Sequence, residues 1–223
     1  MEIIYGTGNP GKIAFMEMCL MGLPVEIVGI HRAAEEKGIA LEEVAETGAT
    51  PLENARIKAE GYYQMFRRPV FSCDSGLYLW NHATGEPLPQ EEQPGIHVRG
   101  RGPKRLSDEA LLARCIGLVK KYGPVRARYK NAICLVWEEG VREESMEEDL
   151  WGEAFLLVDV PHPRRTPGLP LDSISIDLST GKYYYDIENN SQDAAAGDNG
   201  FYRFFRQFLE KNTGKGSFVG EMR

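Results

Sequence analysis

The chain has 223 residues, 42% of them hydrophobic and 26% charged, with a formal net charge of −7 and a pI near 5.3. This is enough chain for one large domain or two joined lobes, and enough apolar residues for a sizeable core. The acidic balance argues against a protein that coats nucleic acid or lies on a membrane surface. A small anionic substrate stays compatible with it, because only the local field matters at a site.

The first element predicted is a strand at Ile3-Ile4-Tyr5. Gly6, Gly8 and Gly11 then force a turn, with Asn9 as helix N-cap and Pro10 at the first helical position. The following helix carries Ile13, Met16 and Leu20 on one face. A strand, a glycine turn and a helix start aim backbone N–H groups at one point, and Lys12 adds a full charge there. This is an anion site, read here as one for phosphate because Asn9, Pro10 and Lys12 agree on it. Two known patterns fit only in part. The dinucleotide fingerprint needs an acid ending the next strand, and Glu26 begins it. The P-loop needs Ser or Thr after its lysine, and Ile13 stands there.

Residues 25 to 30 read as a second strand, and 31 to 49 as acidic irregular chain. Thr50, Pro51 and Glu53 form a capping box, so a helix should run to about Phe66. Its buried face is expected at Leu52, Ala55, Ala59 and Tyr62 or Tyr63, with Asn54 and Lys58 side by side on the other. Residues 69 to 73 read as a short buried strand with Asp74-Ser75-Gly76 at its end, where α/β folds place ligands. A Pro/Gly/Glu-rich excursion over 81 to 105 ends in Arg99, Arg101, Lys104 and Arg105.

Ser107 caps an amphipathic helix that Gly123-Pro124 ends. One long strand is expected over 125 to 137, an acidic turn over 138 to 149, and a strand over 150 to 160. A loop follows at 161 to 170, then a hairpin of 173–177 and 182–186 around Ser179-Thr180-Gly181. After a loop at 187 to 200, Phe201, Phe204, Phe205 and Phe208 lie at helical spacing and read as core. Cys19, Cys73, Cys115 and Cys134 are scattered without metal-ligand spacing and read as reduced core thiols of a cytoplasmic protein. No signal peptide or long apolar span is read.

Four features stand in a particular order: Thr7-Gly8-Asn9-Pro10-Gly11-Lys12; Glu46-Thr47-Gly48-Ala49-Thr50 with Glu53-Asn54-Ala55 and Lys58-Ala59; Asp74-Ser75-Gly76-Leu77; and Pro94-Gly95-Ile96. In these the chain resembles the inosine triphosphate pyrophosphatase family, closely to about residue 100 and little beyond 160. The resemblance implies a single elongated α/β domain over 1–223. It would have two lobes around a central mixed β-sheet flanked by helices, with a cleft between the lobes and a homodimeric assembly. It implies magnesium-dependent hydrolysis of a purine nucleoside triphosphate to monophosphate and pyrophosphate. Such a reaction asks the protein for charge neutralisation and a positioned water. Oxygen ligands suit magnesium, and Glu46 and Asp74 are the expected pair. Asp74 would also take the proton of the attacking water. Lys12, Thr7, Asn9 and Ser75 would grip the phosphates, with Asn54 beside them. Lys58 would reach the site from its helix, and Arg99 and Arg101 would close over it.

The departures from the family pattern are as informative. Cys73-Asp74 and Ala45-Glu46 each keep only the second of two usual acids. The family's aromatic motif is reduced to Gly168-Leu169-Pro170-Leu171-Asp172-Ser173, and its late Ser-His-Arg to Gly197-Asp198-Asn199. The base is therefore expected to meet Asp172, Asp193, Asp198 and Asn199. Carboxylates accept hydrogen bonds, so preference should move from keto purines toward an amino-bearing base. Two further readings stand beside the hydrolase. One is a nucleotide-binding or regulatory protein of the same fold with weakened catalysis, suggested by the missing acids. The other is a P-loop-type kinase or ATPase, against which Ile13 speaks.

Overall fold

A computed structural model describes residues 1–100, 105–187 and 199–213. Strand β1 (Glu2–Tyr5) leads through the glycine turn into α1 (Pro10–Cys19). Asn9 is its N-cap, as its side chain and the following proline dictate, and Oδ1 accepts from the N–H groups of Gly11 and Lys12 at 2.9 and 3.3 Å. Strand β2 (Glu26–Gly29) runs straight into α2 (Ile30–Lys37). This helix replaces the irregular chain expected after residue 30. Ile30, Ala33 and Ala34 are its buried face, and Gly38 closes it in the left-handed conformation.

Helix α3 (Pro51–Phe66) begins at Thr50, whose Oγ1 accepts from the Glu53 N–H. The reciprocal bond is displaced by one residue: Glu53 Oε2 accepts from Ala49 instead of the cap itself. Strand β3 (Val70–Asn81) is more than twice the predicted length, so Asp74 lies within it and not at its end. Helix α4 (Asp108–Tyr122), capped by Ser107, and strand β4 (Val125–Glu138) follow as expected. The predicted acidic turn contains a strand, β5 (Val141–Ser145). Beyond it, β6 keeps only Phe155–Leu157 of the predicted strand, and Leu150 belongs to a 3₁₀ turn. β7 (Ser175–Asp177) meets the predicted partner strand through a single bridge from Ile176 to Tyr183. Helix α5 (Gly200–Thr213) carries the phenylalanine stripe.

The sheet is mixed, in the order β2-β1-β3-β4-β6-β7, with β5 on the far end of β4. Strands β3 and β4 pair antiparallel from Val70↔Val136 to Asn81↔Val125 and form its spine. β1 pairs with β3 only at Val70 and Phe71, and β5 takes the other flank of that half. β6 and β7 extend the opposite half. Two lobes result, each with its own packing. In the first, α1 and α5 cover Phe71, Ile133 and Leu135, while α2 and α3 cover Val70, Ala132 and Cys134. In the second, α4 covers Leu77, Leu79, Val125 and Ala127. This is the expected α/β architecture.

Between the lobes the free edge of β3 is bare from Ser72 to Gly76. Beyond that gap the edge is taken by the strap around Pro94-Gly95, through a bridge from Leu77 to Gly95. Gly76 makes this closeness possible. A Cβ there would stand 3.0 Å from the Gly95 carbonyl carbon and 3.1 Å from its oxygen, both backbone atoms. Gly76→Ala should therefore cost roughly 1–3 kcal/mol, the range of an overpacked site. Urea denaturation checks this; an unchanged midpoint would mean that the strap yields freely.

Candidate active site

A cleft of about 460 Å³ opens beside the glycine turn, lined by Thr7, Gly8, Lys12, His31, Glu46 and Lys58. The turn holds itself together. Thr7 Oγ1 accepts from the Asn9 N–H at 3.2 Å, and Asn9 in turn occupies the first donors of α1. The α1 N–H groups expected to meet an anion are thus already engaged. What the turn offers outward is the exposed Lys12 ammonium. His31 from α2 packs on Gly8 so closely that any side chain there would overlap its ring. Sequence reasoning missed His31 because it missed α2; the signal was the Ile30, Ala33, Ala34 spacing.

The centre of the cleft is Lys58. Its side chain is only 10% exposed, and its Nζ lies 3.0 Å from Glu46 Oε1 and 3.4 Å from Asp74 Oδ1. It also donates to the Cys73 carbonyl at 3.4 Å. Burial pulls its pKa down, but the charges and hydrogen bonds of Asp74 and Glu46 outweigh that, and the net shift is upward. Asn54 and Lys58 are therefore not on an open face of α3, as the spacing suggested; both are buried toward the site. Asn54 Oδ1 accepts from the Gly48 N–H at 2.8 Å and so fixes the turn that carries Glu46.

Asp74 pairs in register with Ala132, and its side chain projects toward α3, where Lys58 meets it. Ser75, next in the strand and opposite Asn131, alternates to the other face. Cys73 turns toward Tyr5. Burial pushes its thiol up to about 12, against the pull of the Tyr5 hydroxyl, Lys12 and Lys58. It is neutral where a second acid would have been charged.

Two carboxylate oxygens thus converge on one cationic point beside the cleft that Lys12 overlooks. Among the described residues no cluster of three or more His, Cys, Asp and Glu forms a complete metal cage. Magnesium does not need one: it takes one or two carboxylates and completes its shell with substrate phosphates and water. Glu46 and Asp74 fit that donor set.

The remaining predicted residues lie elsewhere. Arg99 pairs with Asp108 at 2.8 Å and donates to the Gly168 carbonyl, tying the strap to the start of α4 and the 161–170 loop. Asp172 sits in the 3₁₀ turn Pro170–Ile174 of the second lobe, where burial raises its pKa. Leu171 packs into the core and Leu169 is exposed. Asn199 donates to the Cys19 carbonyl at 2.9 Å and accepts from the Tyr202 N–H, so it fastens the start of α5 to the end of α1. Arg101, Lys104, Asp193 and Asp198 fall outside the described residues.

The Ham1 family model matches residues 3–156. A dITP/XTP pyrophosphatase of Bradyrhizobium sp. (strain BTAi1 / ATCC BAA-1182) is 34% identical over 149 residues, which are 64% of this chain and 63% of that protein. The chain thus spans less than two thirds of the length of that relative. A protein of the same name from Symbiobacterium thermophilum is 32% identical over 177 residues, 78% of each. Among solved structures, a Ham1 protein from Coxiella burnetii superposes with a TM-score of 0.64 at 17% identity, covering 97% of this chain and 100% of that chain. The Staphylococcus aureus Ham1 protein gives 0.60 at 21%, covering 96% and 99%. These two likenesses concern the fold alone.

Proposed function

Because the chain belongs to the Ham1 family, we propose that it is a nucleoside triphosphate pyrophosphatase, opening a purine triphosphate at its α-phosphorus to give monophosphate and pyrophosphate. The observation that carries this reading is the convergence of Glu46 and Asp74 on Lys58, beside the cleft lined by Thr7, Gly8 and Lys12. Lys12 meets the outer phosphates from the rim. Lys58 neutralises charge from below. Asp74 accepts the proton of the attacking water. Glu46 and Asp74 would hold magnesium, which when bound neutralises the phosphate charge that builds up in the transition state. Xanthosine and deoxyinosine triphosphates are the substrates we take first, from the names of the relatives. We also take the enzyme to be a homodimer, from the family resemblance, and cytoplasmic, which agrees with its four unpaired cysteines.

A panel of triphosphates, assayed with and without magnesium, tests the reading. Pyrophosphate and monophosphate as the only products support it; orthophosphate as first product overturns it. Tight nucleotide binding without turnover would favour the weakened-catalysis reading. Cys73 and Ala45 motivate that reading, as does the fact that Lys58 already engages both carboxylates.

Lys12→Ala should raise KM for every triphosphate at least about tenfold, since charge-assisted hydrogen bonds contribute about 1.5–3 kcal/mol each. The melting temperature should not move, because Lys12 is exposed. Unchanged kinetics in the folded variant would remove Lys12 from the substrate contacts.

A further inference from the structure

We propose that the face of β3 and β4 beyond Gly76 is the nucleobase subsite, with Lys130 as the donor that reads a carbonyl oxygen of the base. The proposal rests on the triphosphate reading above and deepens it.

The face is built by strand alternation. Tyr78 and Trp80 follow Asp74 and Gly76 on the same side of β3. Lys130 stands opposite Gly76 on β4, one pleat beyond Ala132, the partner of Asp74. These residues adjoin a recess of about 480 Å³, closed on its far side by the strap that carries Gly95 and His97. Its near wall is Ala49. Glu46, three residues earlier in the same turn, lines the phosphate cleft. A nucleotide with its phosphates over Lys58 and Asp74 therefore has this recess next along the strand.

The lining suits a flat, keto-bearing base. The Lys130 ammonium lies 4.3 Å from the Trp151 ring centre, 4.8 Å from Tyr78 and 5.5 Å from Trp80. Cation–π attraction holds it there. Among the described residues its N–H groups meet no carboxylate or carbonyl partner, unlike those of Lys58. The result is a positioned, unsatisfied donor between aromatic walls. Rings supply stacking area to any base, whereas the ammonium favours a base with an exocyclic carbonyl oxygen over one with an amino donor at that position. The aromatic rings missing from the 168–173 loop, and a hydrogen-bond donor beside them, are thus present on this face of the sheet. This reverses the amino-base preference expected from the late acidic segment.

The test compares wild type with Lys130→Met and Lys130→Arg. It measures kcat/KM for inosine, xanthosine and adenosine triphosphates, and the inhibition constant of inorganic tripolyphosphate. In Lys130→Met we expect a loss of roughly 10–100-fold for the two keto substrates, the effect of one charged hydrogen bond. Adenosine triphosphate and tripolyphosphate should change less than about threefold, and Lys130→Arg should restore the keto preference. A loss that is equal for all three substrates and for tripolyphosphate, or no loss at all, overturns the proposal. Quenching of tryptophan fluorescence by inosine and adenosine monophosphates provides a second arm that needs no turnover. Wild type should discriminate between the two and Lys130→Met should not. If wild type hydrolyses no triphosphate, the hydrolase reading fails. The quenching arm then still decides the subsite: equal quenching in wild type and variant overturns it.

Discussion

Asp74→Asn is expected to lower turnover at least about a hundredfold, the lower end of what a general base supplies. Asp74 has three tasks at one point. In the proposed reaction it would accept the water proton and give one of two carboxylate oxygens to a cation, and it pairs with Lys58 at 3.4 Å. The amide keeps the shape of the side chain and one acceptor oxygen, so the strand register with Ala132 is undisturbed. Single-turnover rates at saturating magnesium read the effect. Near-normal rates would reduce Asp74 to a structural partner of Lys58.

Lys58→Met is expected to destabilise the fold by about 3 kcal/mol, the low end for removing one member of a buried ion pair. The low end applies because Glu46 is half exposed and is rehydrated easily, whereas the Asp74 side chain is 13% exposed and is left unpaired. For a chain of this size that is a melting temperature lower by roughly 6–12 °C. The sign of the pH dependence follows from the raised pKa of Lys58. A cationic group whose folded pKa is raised contributes its stability fully below its unfolded value, about 10.4. That stability is lost as pH climbs through the higher folded value. The difference in stability between wild type and variant should therefore be constant from pH 6 to 9 and shrink above about 10.5. Denaturation midpoints across that range check it; a difference that shrinks on acidification instead would mean that the charge on Lys58 is not what stabilises the site.

Much of the fold was legible because its signals are local. Asn9-Pro10 and Thr50-Pro51-Glu53 specify helix starts by side-chain chemistry within four residues, and the phenylalanine spacing of α5 specifies its buried face. The errors came where pairing across the sheet overrode local preference. Asp74-Ser75-Gly76 interrupts an apolar run and reads as a turn, yet β4 pairs with every residue of β3 and carries the strand through. β5 reads as Val-Arg-Glu-Glu-Ser, with no apolar alternation, because its charges are satisfied outside the sheet: Glu144 takes Arg56 of α3 in a two-pronged bond, and Arg142 pairs with Glu60. The site was half legible for the same reason. The residues of the glycine turn announce themselves by type and spacing. Lys58 was named as a site residue only through the family resemblance, since by itself a lysine on a helix reads as solvated until the carboxylates that surround it are placed by other elements.

The spine of the sheet has a mechanical consequence. The two lobes are not strung on a loop; they share β3 and β4, which pair without interruption over twelve positions. A ribbon of this kind resists bending at any one residue and yields by changing its twist along its whole length. Any narrowing of the gap around a substrate would then be a torsional movement spread over many peptide units. Asp74, with its Lys58 partner, and the recess beside Lys130 lie along the same ribbon, so each increment of twist would move both together. A flexible insertion that would lubricate a hinged enzyme would here sever the spring.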